Sequence, residues 1–549
     1  MAGGILDLVA TGNQDVILIG NPEKTFFKTK YAKYTNFGMQ KFRIDYNGLR
    51  TLRLSDESEF KFKVPKYADL LMDTYLVINL PMIWSPIYPP QSESEEWRGY
   101  EFQWIRNLGC QIINEISIST GGQLIQKYSG EYIQHSINRD QSGGKKELFN
   151  EMTGNVPELY DPCIVHNREN NYPNAFYDEN SSGPFASIEG RKLYIPIHTW
   201  FTQSSKTAFP LVSLYSNDLF ITVKLRPISE LFSIRDIRDV SNNFPRIAPN
   251  FTDPLFGFHR FLQPPPSIAL NDDDYTDRRI LWNADVHLMG TYCFLSEDES
   301  QVFKSRDQQY LFKTVYEHRF DNIVGTKKVS VPTSGLVSNW MYTFQRNDVN
   351  LRNEWSNYSN WPYHYLPSNI VQAPQQGNYK YDDAKPSIGP GQNPNSSPTF
   401  IYVTPTFDNN NKKEILQGFA ILFDGKYREN ELESGVYRFL EPYAKSNGSN
   451  LDGLYSYNFS LHSDLTELQP AGATNLSMFN KIELECTTHT PTLDNNAQVL
   501  TVCDDNGTVI GINKPSWLIY NYTYTMRLYE EKYNILVFHS GNCGLMYAR

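Results

Sequence analysis

The chain is poor in cysteine, in histidine and in long apolar runs, and it carries no surplus of positive charge. Its 549 residues hold six cysteines, Cys110, Cys163, Cys293, Cys486, Cys503 and Cys543, far apart and with no CxxC pair. Disulfide frameworks and structural zinc sites draw on clustered cysteines, so the spacing predicts reduced, mostly buried thiols. The ten histidines show no paired ligand spacing. Lys plus Arg total 50 against 61 Asp plus Glu, a net charge of −11, which excludes attachment to nucleic acid by bulk positive charge. The most apolar stretch, 70–84, is interrupted by Asp73 and Asn79 and falls short of the roughly 20 residues that span a bilayer. The opening MAGGILDLVATGNQ lacks a basic n-region and a long apolar h-region, and Ala2 stands where N-myristoylation needs glycine. These features predict a soluble protein made in the cytosol, without a signal peptide.

Aromatic residues are abundant: 36 Tyr, 32 Phe and 9 Trp make 14% of the chain. Rings and β-branched residues suit a pleated, half-buried surface. The 33 Gly and 32 Pro fall in short clusters that read as many turns. Period-two alternation marks strands at 59–64 (EFKFKV), at 116–119 (ISIS, stopped by Gly121-Gly122) and at 219–225 (LFITVKL, closed by Pro227). Strand patterns resume at 285–289 and 292–295 and return at 419–423. A turn-rich stretch ending in Pro264-Pro265-Pro266 separates the two sets, because three prolines cannot sit inside a sheet or helix. The runs 150–190 and 347–411, the second loaded with Asn, Pro, Gly, Ser and Tyr, read as elaborated surface loops. Helix signals are sparse. One helix is predicted over 297–306, with Ser296 as N-cap and Glu299 completing a capping box. The fold class is all-β: two halves of similar size, each a sandwich or jelly roll with one long insertion.

No residue pattern supports an active site. Gly143-Gly144-Lys145-Lys146 lacks the spacing of a phosphate loop, and Gly389-Pro390-Gly391 lacks the third glycine of a dinucleotide fingerprint. Asp272-Asp273-Asp274 reads as a solvated turn. Cys486 and His489 form a lone Cys-x-x-His without two further ligands. Glu297 and Glu299 are too ordinary a pair to mark a glycosidase. Nine N-x-S/T sequons occur, at Asn180, Asn250, Asn357, Asn395, Asn447, Asn458, Asn475, Asn506 and Asn521. Without a signal peptide they predict no conventional glycans. The expectation is a non-enzyme with no catalytic residue, no cofactor and no metal.

The motifs taken in order resemble the major capsid proteins of nucleocytoplasmic large DNA viruses, the double jelly-roll type of giant viruses, chlorella viruses and iridoviruses. The segment 3–37 looks like that family's opening arm and first strand. Asp69-Leu70-Leu71, Tyr75-Leu76 and Leu80-Pro81 are similar to its "DLL…YL…LP" strand, and Gly121-Gly122-Gln123 with Gly130-Glu131-Tyr132 to its next turn and strand. LYIPIHTWFTQSSKTAFP, 193–210, resembles the signature that ends the first roll. Tyr292-Cys293-Phe294-Leu295 with Glu299, then Tyr310-Leu311, look like the first strands of the second roll. Gly425 with Arg428, Glu441-Pro442-Tyr443, Tyr457 to Leu461, Gln469-Pro470 and Asn475-Leu476-Ser477 are similar to its later motifs, and 533–545 to the closing strand. The chain departs at Asp424, where the family has Asn before the glycine, and at Met478-Phe479-Asn480 after the Asn-Leu-Ser motif.

The resemblance implies two consecutive eight-stranded antiparallel jelly rolls, with few short helices: an N-terminal arm over 1–25, a first roll over 26–228, a linker over 229–271 and a second roll over 272–549. It implies a structural protein of the virion, forming pseudo-hexagonal homotrimeric capsomers in an icosahedral shell and assembled in the host cytoplasm. The expected partners are further copies of itself, minor capsid and penton proteins, and the internal viral membrane through minor proteins, with no direct nucleic acid. The arm is expected at the base, against a neighbouring subunit or minor capsid proteins, and the two long loops on the outer surface. The competing readings are a paralogous minor double jelly-roll capsid protein and a β-sandwich carbohydrate-binding protein or glycosidase.

Overall fold

The computed structural model describes residues 3–88, 98–167, 172–175, 185–238, 246–266, 275, 277–280, 282–361, 370–371, 401–402, 413–465, 468–490, 500–503, 509–513 and 522–547. Two short helices open the chain, α1 (Gly3–Val9) and α2 (Val16–Ile19), neither with a buried residue. The strands of the first half are β1 (Phe37–Asp45), β2 (Ser58–Lys63), β3 (Leu70–Asn79), β4 (Ile113–Thr120), β5 (Gln123–Tyr128), β6 (Lys192–Pro196), β7 (Leu219–Leu225) and β8 (His287–Leu295). Helices α3 (Gly130–Asp140) and α4 (Gly143–Thr153) follow β5, and α5 (Glu297–Ser305) follows β8. The second half contributes β9 (Gln308–Ile323), β10 (Thr326–Ser330), β11 (Leu336–Arg346), β12 (Leu416–Phe423), β13 (Lys426–Glu433), β14 (Leu454–Asn458), β15 (Ile482–Thr488), β16 (Tyr524–His539) and β17 (Asn542–Leu545).

Each half is built around two main antiparallel sheets packed face to face, with smaller sheets beside them. In the first, a five-stranded sheet runs β1-β8-β3 to the short strand Phe209–Pro210, with β6 also on β3, and faces a four-stranded sheet β2-β7-β4-β5. In the second, a six-stranded sheet built on β9-β16-β11-β14 faces a four-stranded sheet β10-β15-β12-β13. The alternation read from the sequence is the alternation of burial: β2 is buried at Ser58, Phe60 and Phe62, and β7 at Leu219, Ile221, Val223 and Leu225. Strand β12 departs from it, being buried on both faces after Gln417, because Tyr437 packs over it and donates to the Phe419 carbonyl at 3.0 Å.

The tight turns use the residues that left-handed backbone favours. Gly121 and Gly122 have φ of 56° and 83° between β4 and β5, and Asp424 and Gly425 have φ of 48° and 77° between β12 and β13. Asp424 therefore serves the hairpin as Asn would. Its Oδ1 also accepts from the Asn480 and Lys481 amides at 2.9 and 2.8 Å.

Four expectations change. First, 292–295 does not open the second roll. Strand β8 lies between β1 and β3, with Phe37 opposite Leu295 and His287 opposite Val77. Second, 229–271 is not a free linker: Phe232–Arg235 pairs with Gln103–Trp104, and Phe232, Phe258 and Phe261 are buried in the first core. Third, Gly130-Glu131-Tyr132 starts a helix rather than a strand. Fourth, the described parts of the two long loops are not simple surface. Leu159 and Cys163 are buried in one, Val349 and Asn357 in the other.

The larger apolar core crosses between the halves. Phe312, Val315, Met341, Tyr529 and Phe538 of the second half belong to the same cluster as the first-half residues. Trp200 meets Phe312 at 4.7 Å and Phe209 meets Phe538 at 5.2 Å. A second cluster lies wholly within the second roll around Trp340, Tyr342 and Phe419, where Tyr342 and Phe419 stack at 4.3 Å. Phe419→Ala removes a fully buried ring from this stack and is expected to cost about 3–5 kcal/mol. Equilibrium denaturation of the two proteins measures it; a change below about 1 kcal/mol contradicts the packing described.

Candidate functional site at the junction of the two rolls

The sequence candidates do not converge on a reaction centre. Asp272-Asp273-Asp274 and Gly389-Pro390-Gly391 lie outside the described residues. The Cys486 thiol is buried beside Met526 at 3.7 Å, whereas the His489 ring contacts Gln417 at 2.8 Å, so the two do not share a site. Glu297 and Glu299 sit in the first turn of α5, where carboxylates favour the helix dipole. The expected capping box there is not formed: Ser296 makes no side-chain cap. Asp69 ties the start of the helix to β8 instead, accepting from the Leu295 amide at 3.0 Å and from Ser300 Oγ at 2.7 Å. Gly143-Gly144-Lys145-Lys146 begins α4. Cys110, Cys163, Cys293, Cys486 and Cys543 are buried, and the side chain of Cys503 is outside the described residues. Among the described residues no group of three or more His, Cys, Asp or Glu is placed to hold a metal. Of the sequons, Asn357 and Asn458 are buried, Asn250, Asn447 and Asn475 are exposed, and the rest lie outside the described residues.

The concentration of charge that does exist is inside, between the rolls, on α3. Ser129 caps this helix, its Oγ accepting from the Tyr132 amide. The Ser129 amide and hydroxyl both donate to Glu317 Oε1 on β9, at 2.6 and 2.8 Å. Position 130 has to be glycine: a Cβ would stand 1.9 Å from the Cys110 carbonyl oxygen. Every residue from Gly130 to Ser136 is buried, as are Arg139 and Asp140. A helix enclosed on all sides must satisfy its polar groups internally.

It does so mostly with residues of the second roll. Tyr132 Oη donates to Glu531 Oε1 at 2.9 Å, and Tyr529 Oη donates to Glu131 Oε2 at 3.0 Å, a reciprocal exchange between α3 and β16. Arg527 pairs with Glu131 at 2.9 Å. Arg139 holds Asp140 through Nε and Nη2 at 2.7 and 2.6 Å, reaches Glu531 at 3.0 Å and donates to Asn339 Oδ1 at 3.2 Å. Ser463 Oγ completes Asp140 at 2.8 Å. The last carbonyls of α3, at Asn138 and Arg139, accept from the Ser449 and Gly448 amides. On the far side, Asn353 donates to the Ser229 and Phe232 carbonyls, both at 2.7 Å, and Trp355 Nε1 donates to that of Glu230 at 2.9 Å. The start of the second long loop is thus a strap onto the first roll. Asp348 anchors it, between Arg346 at 2.6 Å and Arg352 at 3.0 Å.

Burial and pairing set the charges here. Burial pushes the Glu131 carboxyl up, but Arg527 and Arg226 more than offset it, and it lies below the usual carboxylate range. Glu531 also lies below it, through Arg139 and Lys313 acting against burial. Glu530, buried but paired with His318 and Lys532, is held down at about 2. His135 and His198 are pushed down to about 4 by burial, so both rings are neutral at pH 7. Every carboxylate of the cluster is committed to a partner. The cavity beside it, among Gln126, Tyr132, His198, Trp200, Lys313 and Tyr533, is only about 30 Å³, room for water rather than for a substrate. What this arrangement does is fasten two rolls at one fixed angle.

Two outcomes follow. Arg139→Leu strands Asp140 and Glu531 without their cation and is expected to cost about 3–5 kcal/mol in chemical denaturation, against less than about 1 for an exposed pair such as Arg319–Asp321. Acid weakens the junction. The unfolded histidine titrates near 6.5 and the folded one near 4, so the unfolded state binds more protons between those values and stability falls as pH drops through that window. Glu530 adds a loss below about pH 4.5. Glu354, pushed up to about 7 by burial against the pull of Arg106 and Arg352, acts in the opposite sense between 4.5 and 7 and tempers the decline. Thermal unfolding from pH 7.5 to 4 is expected to show a falling Tm, and His135→Gln a shallower fall; parallel curves contradict the assignment to His135.

Comparison with known proteins agrees with this architecture. The family described as major capsid protein N-terminus matches residues 25–250, and the family described as large eukaryotic DNA virus major capsid protein matches residues 319–544. The major capsid protein of Phaeocystis pouchetii virus is 24% identical over the full length of both chains. Probable capsid protein 4 of Acanthamoeba polyphaga mimivirus is 23% identical over 88% of this chain and 92% of its own. The fold matches the PBCV-1 virus capsid protein with a TM-score of 0.58 at 15% identity, covering 96% of this chain and 100% of that one. With a matching family on each roll and the two rolls fastened as one body, the chain belongs to the major capsid proteins of large eukaryotic DNA viruses and has their double jelly-roll fold.

Proposed function

We propose that three copies of this chain form a homotrimeric, pseudo-hexagonal capsomer, and that these capsomers tile an icosahedral shell. The observation that carries the reading is the buried junction on α3. Two similar sandwiches held at a fixed angle give each copy two of six near-equivalent corners, and a six-cornered unit fills a plane. A flexible linker between the rolls would not define such corners. The role is structural rather than enzymatic: carboxylates consumed in internal pairs and a cavity of about 30 Å³ suit a rigid tile.

The division into a first roll, a connecting stretch and a second roll belongs to this reading, with the crossing placed at α5, after β8 has completed the first sheet. The outward-facing top expected of 150–190 and 347–411 falls, beyond their buried anchors, largely on residues outside the described ones. Neighbouring capsomers, minor capsid proteins and penton proteins are the partners at its edges and base, and assembly takes place in the host cytoplasm. Separation of shell from genome by a membrane fits the net charge of −11.

Light scattering of the purified protein, with negative-stain images of the same peak, tests the capsomer. The expected mass is about 190 kDa, three times 63.4 kDa, with hexagonal outlines. A species that stays near 63 kDa at high concentration, and also when produced with the other virion proteins, removes the reading.

A further inference from the structure

We propose that residues 3–36 are a peripheral membrane arm that binds an anionic phospholipid surface directly. This goes beyond the capsomer reading, in which the membrane is reached only through other proteins.

Three kinds of side chain point outward from this arm, in order along the chain. Helix α1 exposes Ile5, Leu6, Leu8 and Val9, with Asp7 as its one charge. Helix α2 is VILI, all four residues exposed. Then 24–34, KTFFKTKYAKY, contains Lys24, Lys28, Lys30 and Lys33 and no acid, interleaved with Phe26, Phe27, Tyr31 and Tyr34, which are 84–98% exposed. Eight of these eleven residues are lysine or aromatic. The segment carries +4 in a chain of −11, so the remainder carries −15.

A bilayer interface accepts all three classes at once. Aliphatic side chains enter the boundary of the acyl region, rings sit at the headgroup level, and ammonium groups meet phosphate and serine carboxylate. Helices of seven and four residues gain little alone in water, and an apolar boundary that covers their side chains stabilises them. Single-stranded nucleic acid would use the rings and lysines, but would leave the eight aliphatic residues in water. A second copy would satisfy the lysines with its acidic body, but would need apolar grooves for two separate helices as well. The acidic body does not prevent lipid contact. Its repulsion is screened beyond about 8 Å at physiological salt, and the irregular stretch 20–36 reaches up to roughly 55 Å when extended.

Flotation of the full-length protein with vesicles tests this. Vesicles of phosphatidylcholine with 30% phosphatidylserine are compared with pure phosphatidylcholine at low and physiological salt. The expected result is co-flotation with the anionic vesicles, at least tenfold weaker on the neutral ones. Lys28→Gln with Lys30→Gln is expected to weaken it about tenfold or more, and Ile17→Ser with Leu18→Ser to weaken it independently of salt. No altered residue is buried, so circular dichroism and thermal unfolding of the variants should match the parent. The proposal falls if the parent does not float with anionic vesicles, if removing residues 2–36 leaves flotation unchanged, or if the variants alter oligomeric mass or single-stranded DNA binding while flotation stays the same. Flotation is read independently of the capsomer mass, so failure of one reading is distinguishable from failure of the other.

Discussion

Arg139 and Glu531, fully buried 3.0 Å apart, come from opposite rolls, and the shape of the molecule depends on their meeting. Taking two ions out of water costs several kcal/mol each, and only dense hydrogen bonding recovers it. Asp140, Asn339, Tyr132 and Ser463 supply that bonding, and they are spread over α3, β11 and the segment after β14. A slipped or rotated arrangement of the rolls would leave some of these groups unsatisfied in an apolar interior. The apolar contacts around Trp200–Phe312 and Phe209–Phe538 supply the adhesion, whereas the charges select the angle. Adhesion alone would tolerate many orientations; buried charge tolerates few.

The free edges of the two rolls follow the same economy of charge. Strand β13, KYRENELE, pairs only with β12 and is exposed or half-exposed throughout. At the edge of the first roll, β2 turns Glu59, Lys61 and Lys63 outward. Charged side chains along an edge discourage random strand addition, which matters for a protein that must crowd against its own copies. Any neighbour then has to be recognised by side chains and loops rather than by an open backbone ladder.

How much of this was legible in the sequence depends on whether the signal was local. Alternation in β2, β4 and β7 was readable because one face of each meets a core and the other does not. Gly121-Gly122 was readable as the end of a strand, because only glycine takes both positive φ values there without strain. Helix α3 carries Ser129, Glu131 and Arg139 as ordinary helix-end residues and keeps its polar residues, but the resemblance assigns 130–132 to a strand, and the burial of those polar residues depends on partners far away in the chain. The Glu530-Glu531-Lys532 triplet inside the apolar strand β16 was the visible anomaly; its explanation needs partners some 390 residues away, such as Arg139. The placement of β8 was hidden for the same reason. Its pattern announces a strand but not which sheet receives it. The strap from Asp348 to Asn360 looks like surface loop because asparagine and serine are polar; here their amides and hydroxyls are spent on buried carbonyls and turns.

The pairing of β1 with β8 has a kinetic side. Phe37 lies opposite Leu295 in the ladder, so an inner strand of the first sheet is among the last parts of that roll to leave the ribosome. At roughly 5–20 residues per second, about 13–52 s separate the synthesis of the two partners. For that interval β1 and β3 have no shared neighbour, and the apolar face they will bury is open. The first sheet cannot close until β8 has been made. The partners of α3 on β16 follow some 230 residues later still, so the buried charges of α3 wait for the second roll after the first sheet is complete.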